Sequence, residues 1–417
     1  MDILLKSATI IDPASKHHGK KRDVLIKDGV IQKIAASISD TKSTQLTFSN
    51  LHISQGWFDP SVSFGEPGYE ERETLENGLQ TAAQSGYTAV GVNANTQPVT
   101  DTKSQVKFLK TKAYHSPVTV YPIGAMTTKS EGVDLAELYD MYNEGAISFY
   151  DYKRPIKNAN LLKIALQYAQ NFGGLVQSFP FEKSVARNGV VNEEENSTRL
   201  GLKGIPALSE ELQIIRDLHI LEYTGGKLHI PTISTEKSIK LIKEAKKKGL
   251  KVTCSVAIHN LCLTDDVLDT FDTSYKLLPP LRTQKDRKAL LKGLADGTID
   301  GVTSDHDPID VEHKRTEFDH AKFGSIGLES CFGALLGETD LETAIQGLTG
   351  LRKVFGVEST GISEGQKADL TLFNPMSDWV FSEESILSTS KNAALLGFPM
   401  KGNVYGIIHQ NQLVINE

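Results

Sequence analysis

The chain has 417 residues, a formal net charge of -7, 39% hydrophobic residues and 23% charged ones. That length buries a large core and exceeds a typical small domain, and the acidic balance argues against a nucleic-acid partner. Cys254, Cys262 and Cys331 lie in apolar segments and read as reduced core thiols, with no C-x-x-C spacing to suggest zinc or redox work. The start, MDILLKSATIIDP, lacks a long apolar h-region and a cleavage site, and no stretch reaches the ~20 apolar residues of a membrane span. A soluble cytoplasmic protein without a membrane partner is expected.

Residues 1–54 read as short strands and turns: ILLKSATII, then DVLIKDGVIQKIA with Asp28-Gly29 at a hairpin turn, then TQLTFSN and LHIS. His17 and His18, in the basic loop at 13–21, are adjacent and would face opposite sides of a strand, so a solvated loop is expected there. From 55 to about 360, strands alternate with helices, the pattern of a parallel sheet. The first unit opens with the apolar run Gly56 to Phe58 and continues in Asp59-Pro60-Ser61-Val62-Ser63-Phe64, an alternation that points Ser61 and Ser63 the same way. A Gly-Glu-Pro-Gly turn follows. A helix is predicted over 70–85, with Leu75, Leu79, Ala82 and Ala83 on one face and Gly86 stopping it. Thr88 to Val92 make the next strand, ending in the polar loop Asn93-Ala94-Asn95-Thr96.

Further helices are predicted at 101–113, 135–143, 159–171, 209–223, 235–248 and 284–295, and further strands at 118–126, 146–149, 175–179, 227–233, 251–256 and 301–306. Residues 186–206 form a long polar excursion. Roughly eight strand–helix units imply an α/β fold, a closed (β/α)8 TIM barrel with its chemistry at the strand ends. Residues 363–417 return to strands (ADLTLFN, GNVYGIIHQ, QLVIN) that cannot build a core alone. They are expected to pair with 1–54 as a small β-sandwich domain formed by both termini, split by the barrel at 55–362.

Residues 55–99 resemble the dihydroorotases, in the cyclic amidohydrolase branch of the metal-dependent hydrolases. The family pattern there is D-x-H-x-H-F-R-x-P-G, a helix, then M-P-N-T-x-P. Asp59, Phe64, Pro67, Gly68, Asn95, Thr96 and Pro98 stand where the pattern wants them. Its two histidines are replaced by Ser61 and Ser63, and the arginine that grips the substrate carboxylate by Gly65. The C-terminal segments GQKAD (365–369), Ser390-Lys391-Asn392 and Gly402-Asn403-Val404 also look like the ends of amidohydrolases.

The resemblance implies where each zinc ligand would stand. A D-D-G carboxylate after Phe149 falls at Tyr152, with Lys153 at the glycine; a shift of one residue places Asp151 there instead, and both alignments stay open. The next histidine falls at Phe179, and that of H-I-x-H-x-S-T falls at Thr232 in His229-Ile230-Pro231-Thr232. His229 and His259 read as buried structural histidines. The aspartate of T-D-H-A-P-H, last ligand and general base, is retained as Asp305, and the final histidine is Ile309. The substrate asparagine before P-P-L-R is Leu278, whereas the substrate residue Asn95 is kept.

None of Ser61, Ser63, Phe179 and Thr232 is a good neutral-pH zinc ligand, and Asp305, even with Asp151, falls short of the three protein ligands of catalytic zinc. No metal cofactor is expected, and Asp305 reads as vestigial. A serine nucleophile at 61 or 63 would need His306 as base. The segments 192–211, 263–266, 277–282 and 324–330 nevertheless match the family. The resemblance implies a dihydroorotase-like protein of de novo pyrimidine biosynthesis, non-catalytic, homodimeric and a structural partner of aspartate carbamoyltransferase. One alternative is an active dihydroorotase or other cyclic amide hydrolase, interconverting N-carbamoyl-L-aspartate and dihydroorotate, with zinc in a rebuilt site. Another is a small-ligand binding protein with a pocket walled by Tyr152, Phe179 and Phe181.

Overall fold

The structure is a computed structural model describing residues 1–416. Eight parallel strands form its centre: β1 (Trp57–Val62), β2 (Tyr87–Val92), β3 (Thr119–Gly124), β4 (Ser148–Phe149), β5 (Val176–Gln177), β6 (Leu228–Ile230), β7 (Val252–Ala257) and β8 (Gly301–Thr303). They pair in chain order. The sheet closes just past its last strand, where Val62 bridges His306 and the Ser63 N–H donates to the His306 carbonyl at 2.8 Å. Every residue of β1 and β2 is buried, as in strands covered on both faces.

Two departures from the predicted elements have clear causes. The first helix begins at Leu75 rather than 70, with Thr74 as its N-cap accepting from the Asn77 N–H. Residues 69–74 stay in turns because Tyr69 N–H donates back to Gly65 and Arg72 is drawn to Asp310 at 3.2 Å, while the Glu66 carboxylate takes the Leu75 N–H at 2.9 Å. After β8 come helices Leu328–Glu338, Leu341–Thr349 and Leu351–Phe355, which the chain reading did not single out. The excursion at 186–206 holds a short helix, Glu195–Leu200, between paired two-residue strands Val191–Asn192 and Gly204–Ile205.

Both termini combine in one eight-stranded sheet. Its seam is the antiparallel pairing of His52–Gln55 with Leu370–Val380, which joins the two ends of the chain directly. Ile3, Leu5, Ile26, Ile53, Leu370 and Ile408 share its core. We propose the domain division at 1–54 with 363–417 against 55–362; Glu417 lies outside the described residues. Arg352 fastens the sheet to the barrel: buried, it donates to the Gly56 carbonyl at 2.8 Å and the Thr88 hydroxyl at 2.6 Å, and pairs with Asp369 at 3.0 Å. Among the described residues, no helix is long and apolar enough to cross a membrane.

Candidate functional site

The site is the barrel mouth, at the C-terminal ends of the strands. Asp59, fully buried on β1, accepts from the Thr303 hydroxyl at 2.6 Å, the Ser304 N–H at 2.8 Å and the Ser61 N–H at 3.0 Å. It thereby locks the first strand to the last. Just beyond, the hydroxyls of Ser61 and Ser63 both accept from the Asn93 amide, at 3.1 and 3.3 Å. Ser63 also donates to the Asn95 side chain at 3.2 Å. The two serines share a face, as strand alternation requires, and their hydroxyls are engaged by the β2 loop.

At the end of β4, Asp151 and its two neighbours part company. Asp151 turns away, accepting from the Thr127 N–H at 3.0 Å and from the Thr127 hydroxyl. The residues that cross the mouth are Tyr152, whose hydroxyl donates to Asp307 at 3.3 Å, and Lys153, whose ammonium donates to Asp305 at 2.9 Å. The same ammonium lies 3.7 Å from Asp307 and 5.1 Å from the Tyr152 ring centroid. Burial pushes the Asp305 carboxyl up to about 6 against the pull of that ammonium. Burial alone would lower Lys153, but Asp305 and Asp307 outweigh it and hold its ammonium above the ordinary range.

Lys153, Thr232 and Asp305 all have left-handed backbone, with φ of 52°, 48° and 47°. Such a conformation costs a non-glycine residue roughly 1–2 kcal/mol and is most unusual for a β-branched threonine. The strained frame of a site is therefore present, with unusual side chains on it. Phe179, Tyr150, Tyr152 and Ile123 form one apolar cluster, joined by Phe181 and Leu278. Phe179 and Phe181 stack with centroids 5.9 Å apart. These aromatic side chains pack against one another, with Phe179 1% and Tyr152 8% exposed. At Gly65 a Cβ would lie 1.9 Å from the Tyr69 carbonyl oxygen, so no side chain fits where the family has its arginine.

Each of the three histidines near the mouth uses a ring nitrogen in a hydrogen bond. His229 bonds Thr253 at 2.9 Å and Ser255 at 3.1 Å, and burial pushes its pKa down to about 3. His259 reaches the Ile326 carbonyl at 3.3 Å, and burial lowers its pKa to about 4. The Nδ1 of His306 accepts the Gly327 and Leu328 N–H groups at 3.2 and 3.4 Å, which puts its proton on Nε2. That leaves it no lone pair facing a serine hydroxyl, so no Ser–His nucleophile pair is formed.

The donor set does not fit zinc. Among the described residues, no three His, Cys, Asp or Glu side chains gather as a metal-binding group. Two oxygens at the ligand places, Asp305 Oδ1 and Thr232 Oγ1, have no protein partner. Two oxygens fall short of three ligands, and an ammonium already contacts the one carboxylate.

Sequence reading missed the roles of Lys153 and Asp307; a lysine at a glycine position was the available signal. It also left the four family-like segments unexplained. Three of them interlock: Arg282, buried, donates to Asn192 Oδ1 at 2.8 Å and the Ile205 carbonyl at 2.7 Å, and Asn192 donates to Asp265 at 2.7 Å. In the fourth segment, Glu329 accepts the Ser388 N–H at 3.0 Å.

A sequence profile described as dihydro-orotase-like matches residues 52–238. The dihydroorotase of Pelotomaculum thermopropionicum is 38% identical to this chain, covering 100% of it and 99% of the relative. The dihydroorotase of Acetivibrio thermocellus is 34% identical with the same coverage. Among solved structures, the L-hydantoinase (dihydropyrimidinase) from Arthrobacter aurescens superposes with a TM-score of 0.87 at 21% identity, over 100% of this chain and 96% of that one. A D-hydantoinase (dihydropyrimidinase) from Thermus sp. does so with a TM-score of 0.82 at 20% identity, over 99% and 95%. These structural likenesses establish the fold, a barrel with a sheet from both termini.

Proposed function

The chain belongs to the dihydroorotase family of pyrimidine biosynthesis, and from that premise we propose that it is a non-catalytic member with a structural role. The supporting observation is the Lys153 ammonium seated on Asp305, the one retained ligand and general base of the family pattern. The Lys153 ammonium at 2.9 Å occupies the Asp305 carboxylate where the family pattern has a metal ligand, and the other ligand places carry hydroxyl and phenyl groups. The buried network through Arg282 and Asn192 gives three of the family-like segments a structural role.

In this reading the chain forms a homodimer and scaffolds aspartate carbamoyltransferase, as ligand-less members that it resembles do. The test is affinity purification of the tagged chain from its native cells. Co-elution of the endogenous transferase at a fixed ratio is the expected outcome; a homodimer free of transferase refutes the partnership. Elemental analysis with a dihydroorotate hydrolysis assay tests the other half of the reading. Stoichiometric zinc with turnover would replace it by a working hydrolase with a rebuilt site. The small-ligand alternative is disfavoured by the packed wall, since Tyr152 is 8% and Phe179 1% exposed.

A further inference from the structure

We propose that the ammonium of Lys153 is the resident cation of this barrel mouth, a covalently tethered charge on which Asp305 and Asp307 close so that the mouth assembles without a metal ion. The inference concerns the isolated chain and stands apart from the transferase partnership, so either can fail without the other.

The need for a cation is set by the carboxylates. Asp305 and Asp307 sit two residues apart on one loop, with side chains only 8% and 11% exposed. Two buried like charges raise each other's energy and require a counter-charge within a few ångströms. Arg72 and Lys314 act on Asp307 as well, but Arg72 is committed to Asp310 at 3.2 Å and Lys314 to the Thr273 carbonyl at 2.9 Å. Lys153 is the cation that contacts Asp305 and stands within 4 Å of both carboxylates.

It arrives from the opposite side of the barrel, 152 residues away in sequence, and its backbone adopts a strained left-handed φ of 52°. Its neighbour Tyr152 completes the arrangement by donating to Asp307. The side chain is itself only 10% exposed, so the charge is enclosed rather than exchanged with solvent. A long alkylammonium in this place supplies one positive charge shared by the two carboxylates while blocking access to the one that would bind a metal ion.

Two variants separate charge from packing. Lys153→Met keeps the chain volume and removes the charge; Lys153→Gly removes both and relaxes the backbone. Each variant is refolded alone, with n-butylammonium chloride, or with n-butanol, and its thermal midpoint is read. Both variants are expected to melt several degrees below wild type. Butylammonium is expected to restore most of the loss in Lys153→Gly, where it has room, and none in Lys153→Met. Butanol is expected to restore little in either. In parallel, the wild-type chain is equilibrated with zinc, and its bound metal and midpoint are measured with and without a chelator. No stoichiometric zinc and an unchanged midpoint are expected. An unchanged midpoint in Lys153→Met, rescue by butanol equal to that by butylammonium, or one zinc per wild-type chain would each overturn the proposal.

Discussion

At position 65 the loop itself forbids a side chain. A Cβ there would meet the Tyr69 carbonyl oxygen at 1.9 Å and its carbon at 2.7 Å, and both are backbone atoms that cannot swing aside. Gly65→Arg is therefore expected to destabilise the chain by about 1–3 kcal/mol, the range of overpacked sites, without creating an anion-binding group. Urea unfolding and a dihydroorotate titration check the two halves. Family side chains thus cannot be regained one at a time, since neighbours in contact do not act additively. That Ser61, Ser63, Phe179 and Thr232 stand at strand ends was legible in the sequence, because each lies at or just past the end of an apolar run. The partners of those residues were not legible, because a side chain's reach across the mouth leaves no local pattern.

Between elements, the buried Glu210 carboxylate carries an unusual share. It projects from helix Ala207–Thr224 to the start of helix Glu236–Lys247, accepting the Ser234 N–H at 2.9 Å, the Thr235 N–H at 3.0 Å and the Ser238 hydroxyl at 2.6 Å. A carboxylate at a helix N-terminus satisfies free N–H groups and complements the helix dipole. Arg282 joins from the 277–282 segment, donating to the Ser234 hydroxyl at 3.1 Å. Glu210→Ala strands several buried donors and is expected to cost about 3–5 kcal/mol in urea unfolding, with Glu210→Gln intermediate. A small change in Glu210→Ala would mean that the segments are retained for another reason. The same scale explains the helix placed five residues too early by periodicity. Leu75 and Leu79 repeat correctly, but the turns at 69–74 are held by Gly65, Asp310 and Glu66, which no helical repeat reveals.

For the molecule as a whole, the joint between terminal sheet and barrel rests on Arg352. Its guanidinium bonds Gly56, Thr88 and Asp369, which belong to the chain leading into the barrel, a barrel strand and the returning C-terminal segment. Trp57 packs against Phe332 and Phe373 nearby, with centroids 4.6 and 5.8 Å apart. Arg352→Met leaves Asp369 buried without that partner and is expected to cost about 3–5 kcal/mol. Calorimetry is expected to show one transition in wild type and a separate, earlier melting of the terminal sheet in the variant; a single transition in both would show the joint to be redundant. The sequence by itself determined the barrel and the return of the C-terminus to the N-terminus. Those follow from strand–helix alternation and from short motifs at strand ends, which are local properties of the chain. Only the tertiary structure decided that Tyr152 and Lys153 meet Asp307 and Asp305 while Asp151 meets Thr127, and that Phe179 packs with Tyr152 in one buried cluster. Those outcomes depend on contacts between residues as far apart as 153 and 305, whose meeting is set by closure of the barrel rather than by any neighbouring pattern.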